Sequence, residues 1–268
     1  MSLSIQGKTA IVTGAAKGIG LAVARHFQAK GANVMFVDID EACLESEVGE
    51  EARGEGNVRM FVGDLRERLT MANLLSATID AFDRVDILVN ASRRMAVSDP
   101  LNADDDAVEM LWQENVLTSL RLSQMTAKRM IAQAEKAEAE GLIGAIINIS
   151  SLASTQTQPK LLGYSIASAA VDQMTRSLAV ALAPKGIRVN AVAIASVMSA
   201  SMKAALKEDA SWRETIVDGT PMGRIAAPDE LAEVMQFLAS DASGFMTGQV
   251  LTVDGGRGLL DRVDVPAY

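Results

Sequence analysis

A glycine-rich turn near the amino terminus has the residue types and spacing to hold a phosphate group. The stretch TGAAKGIG, residues 13–20, lies between a short apolar run and a helix-like segment. Gly14 permits a tight turn, Gly18 removes the Cβ so that a phosphate can approach the backbone, and Gly20 lets a helix pack closely on a strand. A helix that begins here points its free N–H groups, including that of Ile19, at the phosphate. The turn therefore predicts a dinucleotide diphosphate site; a tight turn without a ligand is the alternative.

Acidic residues after the next two apolar runs are placed to bind the rest of a dinucleotide. Asp38 ends the second run, where a carboxylate accepts hydrogen bonds from the adenosine ribose and repels a 2′-phosphate. Lys17 acts in the opposite sense, since its ammonium group can pair with that phosphate. We weigh Asp38 more heavily and predict NAD rather than NADP, with a helix N-cap as the other role open to Asp38. Asp64, with Leu65, is a candidate for the adenine edge, and an ordinary loop aspartate is the alternative.

Seven short apolar runs alternate with longer amphipathic stretches along the chain. The runs are rich in Val and Ile and few alternate polar with apolar residues, which indicates strands buried on both faces. The predicted strands are Lys8–Thr13, Asn33–Val37, Val58–Val62, Val85–Asn90, Ala145–Ile149, Ile187–Ala193 and Val250–Val253. The predicted helices cover about 18–30, 40–53, 66–83, 103–138, 163–183 and 228–240. This alternation predicts an α/β fold, a single doubly wound domain over 1–268 with a seven-stranded parallel sheet.

A long connection follows the sixth predicted strand, at about 194–227. It contains SVMSASMKAALKEDASW, which predicts one or two short helices. Ligands of open parallel sheets bind beyond the carboxyl ends of the strands. We therefore predict that this segment is a lid over the substrate, with a packed excursion as the alternative.

Composition excludes several classes of function. The chain of 268 residues carries 25 Lys and Arg against 34 Asp and Glu, a net charge of −9, so nucleic acid and anionic membranes are not expected partners. It has one histidine, His26, and one cysteine, Cys43. We therefore expect no metal site built on several His or Cys residues and no internal disulfide, and a reducing, cytoplasmic location. No apolar run is long enough to predict a transmembrane helix.

Motifs in a characteristic order resemble the short-chain dehydrogenase/reductase family over nearly the whole chain. The matching stretches are TGAAKGIG (13–20), Asp38, GDL (63–65), DILVN (86–90), Asn115, INISS (147–151), Tyr164, IRVNAVA (187–193), PDELA (228–232) and FLASDASGFMTGQVLTVDGG (237–256). The resemblance implies one Rossmann-type domain that moves hydride between a nicotinamide and an alcohol or ketone carbon. It also implies cofactor contacts at Asn90 and Ala91, a small-molecule substrate, and a homo-oligomer, either tetramer or dimer.

The resemblance also implies catalytic roles for three residues. Asn115 matches the asparagine that holds a water in a proton relay, Ser151 the serine that hydrogen-bonds the substrate oxygen, and Tyr164 the tyrosine that gives or takes the hydroxyl proton. Asn115 falls on an apolar stripe, where a polar side chain needs a partner. A core amide remains an alternative role for Asn115, and an ordinary buried phenol for Tyr164.

One catalytic position departs from the family pattern. The lysine expected four residues after the tyrosine, one helical turn on, is Ser168. A lysine ammonium lowers the tyrosine pKa from its usual value of about 10 and, in the family, binds the nicotinamide ribose; serine carries no charge. The loss of acid–base catalysis could reach roughly 10²–10⁴-fold.

Other departures lie close by. The family's NNAG reads NASR here, which puts Arg93 in place of a glycine beside the cofactor, and the Pro-Gly after the sixth strand reads Ile194-Ala195. Two hypotheses follow. Either a displaced cation restores the chemistry, with Arg93 preferred over Arg94 and Lys160, or the chain binds a cofactor without turnover as a partner subunit or ligand sensor. An Arg93 side chain that points to solvent would remove the first explanation.

Overall fold

The computed structural model describes residues 2–104 and 106–261, which form one α/β domain around a central sheet. The strands are β1 (Thr9–Thr13), β2 (Asn33–Asp38), β3 (Val58–Val62), β4 (Ile87–Asn90), β5 (Gly144–Ser151), β6 (Ile187–Ile194) and β7 (Val250–Val253). All neighbouring pairs are parallel and the order is β3-β2-β1-β4-β5-β6-β7. The predicted seven-stranded, doubly wound sheet is confirmed.

Helices cover both faces of the sheet, as expected for strands that are apolar throughout. They are α1 (Gly18–Ala29), α2 (Glu41–Ala52), α3 (Arg68–Phe82), α4 (Val108–Leu111), α5 (Thr118–Lys136), α6 (Leu162–Leu182), α7 (Ala200–Glu208), α8 (Ser211–Asp218) and α9 (Pro228–Ala239). One core layer includes Phe27, Phe36 and Leu238, and the opposite layer includes Met71, Leu74 and Leu122. Alternate residues of each strand thus enter opposite layers.

The helix predicted over 103–138 is shorter and interrupted. Regular helix begins at Val108, so the described residues before it are not helical, and Asp105 lies outside the described residues. Trp112–Leu117 then forms a π-helical segment between α4 and α5. Apolar periodicity does not distinguish a π-bulge from α-helix, which is why the sequence predicted one continuous element.

The segment after β6 contains two short helices, α7 and α8, in agreement with the prediction. An isolated parallel bridge joins Val197 to Ala226, which closes the segment at its base. None of the helices among the described residues combines the length and apolarity needed to cross a bilayer.

The sheet order determines where a site can form. From β1 the chain adds β2 and β3 on one side of the sheet and then crosses over to add β4 on the other side of β1. The strand order therefore reverses between β1 and β4. The loops after two such strands diverge and leave a crevice at the carboxyl edge. The glycine turn follows β1, Asp38 ends β2, Asn90 ends β4 and Ser151 ends β5.

Candidate active site

The glycine turn has the shape of a phosphate cradle. Gly14 and Gly18 have φ values of +67° and +63°, which residues with a side chain rarely adopt. A Cβ on Gly14 would lie 2.9 Å from the backbone of Ser92, and one on Gly20 would overlap the Gly14 carbonyl. At Gly18 the nearest described atom is the Cβ of Ser199, at 3.6 Å, so the space above Gly18 is open.

The amino terminus of α1 is free to bind an anion. The helix begins at Gly18, its N-cap residue Lys17 makes no capping hydrogen bond, and its first turn contains no acidic residue. Uncapped N–H groups and the helix dipole favour a bound phosphate at this point. A dinucleotide diphosphate therefore fits the turn.

Asp38 lies beside the cradle and is not a helix cap. Its Oδ2 accepts a hydrogen bond from Ala16 N and its Oδ1 from Asp40 N, each at 3.0 Å. The N-cap of α2 is instead Asp40, which accepts from Cys43 N. The ammonium group of Lys17 lies 3.4 Å from Asp40 Oδ2. The alternative role of Asp38 as a cap is therefore wrong, and its carboxylate borders the turn.

Asp64 is held by a neighbouring arginine. Arg66 Nε lies 2.9 and 3.0 Å from the two carboxylate oxygens and Nη2 lies 2.6 Å from Oδ2, and these hydrogen bonds lower the pKa of Asp64. Arg66 also reaches Glu114 at 3.6 Å, which in turn pairs with Arg94 at 3.4 Å. Leu65 is buried. The predicted adenine contact of Asp64 would have to share this carboxylate with Arg66.

Thr13 joins the loop after β4 to the glycine turn. Its hydroxyl oxygen accepts hydrogen bonds from the N–H groups of Ala91 and Ser92, each at 3.0 Å. Asn90 faces inward, and its amide donates to Ser123 Oγ at 2.9 Å and Asn148 Oδ1 at 2.8 Å. The side chain of Asn90 is therefore committed to the core, and a cofactor contact at this position would use its backbone.

Asn115 lies in the π-helical segment and braces the same loop. Its Oδ1 accepts from Arg94 N and its Nδ2 donates to Arg94 O, both at 2.8 Å. The buried amide thus has the partners that its position on an apolar stripe requires. This reciprocal pair positions the backbone immediately after Arg93.

Tyr164 lies in the first turn of α6 and faces the site. A Cβ on Gly163 would lie 2.9 Å from Asp106 O, so the helix approaches this loop as closely as a glycine permits. The tyrosine packs with Leu111, Val116 and Val171 and is 7% exposed. Ser151 ends β5, and its hydroxyl oxygen accepts from Ala153 N at 3.2 Å, which leaves the hydroxyl hydrogen available to a substrate oxygen.

Ser168 is buried one turn after Tyr164 and borders a small polar cavity. The cavity, of about 10 Å³, has room of the order of one water molecule. Its lining includes Ser168, Arg93, Asn115 and Ser119. A lysine at position 168 would therefore enter the same space as Arg93.

Arg93 stacks on the tyrosine ring. Its guanidinium carbon lies 4.8 Å from the centroid of Tyr164, and Nη1 donates to Ser150 O at 2.6 Å. Burial lowers the pKa of Arg93 to about 10, so it remains protonated near neutral pH. The other two candidate cations behave differently, because Arg94 pairs with Glu114 and Lys160 is exposed. Sequence reasoning selected Arg93 but did not predict that Thr13 and Ser150 contact its loop, because contacts between distant segments carry no local signal.

Comparisons with known proteins show similarity over nearly the whole chain. A family model described as enoyl-(acyl carrier protein) reductase matches residues 14–257. The chain is 35% identical over 254 residues to a 3-oxoacyl-(acyl-carrier-protein) reductase of Thermotoga maritima, which covers 95% of this chain and 99% of that protein.

Solved structures are similar over the same length. A gluconate 5-dehydrogenase from Burkholderia cenocepacia in complex with NADP and tartrate has a TM-score of 0.85 and 28% identity, covering 97% of this chain and 98% of that one. A 3-ketoacyl-(acyl-carrier-protein) reductase from Brucella melitensis complexed with NADH has a TM-score of 0.81 and 28% identity, covering 96% and 100%. A nicotinamide cofactor is thus common to these neighbours.

Proposed function

The chain belongs to the short-chain dehydrogenase/reductase family of oxidoreductases, and we propose that it transfers hydride between NAD and the carbon of a secondary alcohol or ketone. The observation that carries this proposal is the junction of two loops: Thr13 ties the loop after β4 to the glycine turn, and Arg93 of that same loop contacts Tyr164. A dinucleotide whose diphosphate binds the turn would therefore extend its nicotinamide half toward the tyrosine.

The choice of NAD rests on charge at the end of β2. Asp38 presents a carboxylate next to the turn, where it would accept hydrogen bonds from the ribose and repel a 2′-phosphate. Lys17, the one base within the turn, already pairs with Asp40. Solved relatives include complexes with NADP and with NADH, so the proposed preference for NAD is argued from this chain's own residues alone.

The residues around Tyr164 divide the remaining chemistry. A bound nicotinamide cofactor would supply the hydride chemistry. Tyr164 would exchange a proton between its Oη and the substrate oxygen as general acid or base. Ser151 would donate its hydroxyl hydrogen to the same oxygen, and Asn115 would hold the water that continues the proton path. The segment at 194–227 would close over the substrate.

A second candidate function follows from Ser168. Without a lysine at this position, the chain would bind a cofactor without turnover and act as a partner subunit or ligand sensor. The uncapped α1 terminus favours cofactor binding under either function, so binding alone does not separate them.

Assembly and location belong to the same proposal. We expect a homo-oligomer, dimer or tetramer, in which the long helices α5 and α6 supply a contact. We also expect a cytoplasmic protein, in keeping with a chain whose one cysteine, Cys43, is free.

Calorimetric titration with NAD, NADH and their phosphorylated forms tests the first step. We expect binding of NAD and NADH and weaker binding of NADP; no detectable heat with any of them would overturn both candidate functions. The chain would then need to be screened with secondary alcohols and ketones for a change in NADH absorbance.

Two variants then distinguish an active oxidoreductase from a cofactor-binding protein without turnover. Tyr164→Phe should abolish turnover in the parent, whereas Tyr268→Phe is the matched control because it removes a phenol from the carboxyl terminus. Arg93→Gly/Ser168→Lys restores the family arrangement. Turnover only in this double variant would establish the non-catalytic function for the parent, and turnover that survives Tyr164→Phe would remove Tyr164 from the mechanism.

A further inference from the structure

We infer that Arg93 is the positioning residue that replaces the missing lysine, because its guanidinium group stacks on the Tyr164 ring and stabilises the phenolate form. The inference rests on the proposed function, in which Tyr164 is the acid–base group. It assigns a specific charge to that tyrosine, and it explains how an enzyme of this family can carry serine at 168.

The contact is built from both sides. On the Arg93 side, Nη1 is anchored by the Ser150 carbonyl at 2.6 Å, and the backbone that follows is clamped by Asn115. On the Tyr164 side, the ring is packed against the apolar residues Leu111 and Val116. Contacts on both sides thus hold the guanidinium carbon 4.8 Å from the ring centroid.

A protonated guanidinium over an aromatic face attracts the ring electrons, and the attraction grows when the phenol loses its proton. An opposite charge within about 4–6 Å typically lowers the pKa of an acidic group by about 1–3 units. The shielded setting of the contact strengthens this attraction relative to water. Arg93 therefore has the sign and the proximity to the Tyr164 ring to favour phenolate, and it acts against the burial of the ring, which by itself favours the neutral phenol.

Other charged groups on the packed elements do not take this role. Asp106, in the loop against α6, accepts a hydrogen bond from Val108 N. Glu109 of α4 is exposed, and Glu114 of the π-helical segment pairs with arginine side chains. Lys160, shortly before α6, is exposed.

The apolar side chains of the Tyr164 cluster include Ala96, Met110, Ala153, Leu161, Ala167 and Met174. Asp172, two turns further along α6, is also buried, and a carboxylate has the wrong sign to stabilise phenolate. Among the described residues, Arg93 is the cation that lies over the Tyr164 ring.

The cavity beside Ser168 argues for replacement rather than coincidence. Ser168 and Arg93 line the same space of about 10 Å³ together with Asn115. That volume does not hold a lysine side chain in addition to the guanidinium group. A short residue at 168 and an arginine at 93 are therefore complementary, and a lysine at 168 requires a small residue at 93.

The tyrosine content of the chain permits a direct test that needs neither substrate nor cofactor. Tyr164 and Tyr268 are the two tyrosines, so Tyr268→Phe leaves Tyr164 as the single group whose ultraviolet difference absorbance reports phenolate. In this background we would titrate the parent, Arg93→Gln, Arg93→Met and Arg93→Lys. The control is Arg129→Gln, an exposed arginine of α5 about 20 Å along the helix from Asn115.

We expect the Tyr164 pKa to rise by about 1–3 units in Arg93→Gln and Arg93→Met, to rise less in Arg93→Lys, and to stay unchanged in Arg129→Gln. Equal values in the parent and both neutral variants would overturn the inference. Thermal unfolding identifies variants that fail to fold, and the use of two neutral replacements of different polarity keeps the comparison available.

Cofactor titration of the same proteins separates this inference from the proposed function. A raised Tyr164 pKa with retained NADH binding and a pH–rate profile shifted to higher pH supports both. An unchanged Tyr164 pKa in the Arg93 variants, with NADH binding and turnover retained, refutes the role of Arg93 but leaves the proposed function intact. If the parent protein does not bind NADH, the proposed function is refuted. Tighter NADH binding in Arg93→Gln than in the parent would show that the guanidinium group obstructs the cofactor, which would also overturn the inference.

Discussion

Asp38 accepts a hydrogen bond from Ala16 N at 3.0 Å, so the carboxylate at the end of β2 holds the backbone of the glycine turn. One side chain thus holds the glycine turn and, in the proposed function, would also supply the charge that selects the ribose. A change at this position should therefore affect both binding strength and cofactor choice.

We expect Asp38→Ala to weaken NADH binding by about 10–100-fold, since hydrogen bonds to a charged group are lost. The difference between the affinities for NADH and NADPH should also become smaller. Calorimetric Kd values for both cofactors measure the effect. Asp38→Asn keeps one acceptor oxygen, so its affinity for NADH should lie between those of the parent and Asp38→Ala. Tighter binding of NADPH than NADH by the parent would contradict the role of Asp38.

Gly18→Ala should separate the cofactor cradle from general backbone strain. An alanine at this positive φ is strained by roughly 1–2 kcal/mol, and its Cβ would enter the open space in which we expect the phosphate to bind. We expect NADH binding at least about tenfold weaker. Gly7→Ala is the matched control, because Gly7 also has a positive φ of +74° and open space around it, but it precedes β1 at the opposite edge of the sheet. Equal loss of binding in both variants would show that strain, not the cradle, is responsible.

Asn115→Ala removes both hydrogen bonds to the Arg94 backbone. We expect a loss of about 1–3 kcal/mol in the free energy of unfolding, because buried groups lose their partners. The loop that carries Arg93 should also loosen, so the phenolate absorbance of Tyr164 should move toward that of Arg93→Gln. Denaturant unfolding measures the first effect, with the exposed Asn73→Ala on α3 as the control. A Tyr164 titration unaffected by Asn115→Ala would mean that Arg93 is held by Ser150 alone.

Glu230 makes one contribution to stability that should depend on pH. Hydrogen bonds from Arg224 and from Ala227 N lower its pKa from 4.5 to about 2. Since the folded value lies below the unfolded one, the contribution is complete above about pH 4.5 and disappears as the pH falls toward 2. The difference in unfolding midpoint between parent and Glu230→Gln should therefore shrink over this window. Asp229→Asn, in the same helical turn, is the control; a difference that stays constant with pH would contradict the assignment.

Several elements were predictable because their signals are local. Strand positions followed from short Val- and Ile-rich runs, and the turn after β1 followed from glycine spacing. The helix ahead of Asn115 was predicted too early and without its π-helical segment. The physical reason is that apolar periodicity does not distinguish π-helical from α-helical turns, and the hydrogen bonds of Asn115 with the distant Arg94 backbone leave no mark on the periodicity of 103–138.

The identity of residue 168 and the presence of Arg93 in the NASR loop were both visible in the chain itself, and they raised the question of a displaced cation. Their relationship was decided by tertiary packing. Thr13 docks the loop on the glycine turn, and Ser150 and Asn115 direct Arg93 onto Tyr164. Composition and spacing determine which side chains are available, but the direction of a long, flexible arginine depends on contacts between segments far apart in the chain, and only the folded structure brings those together.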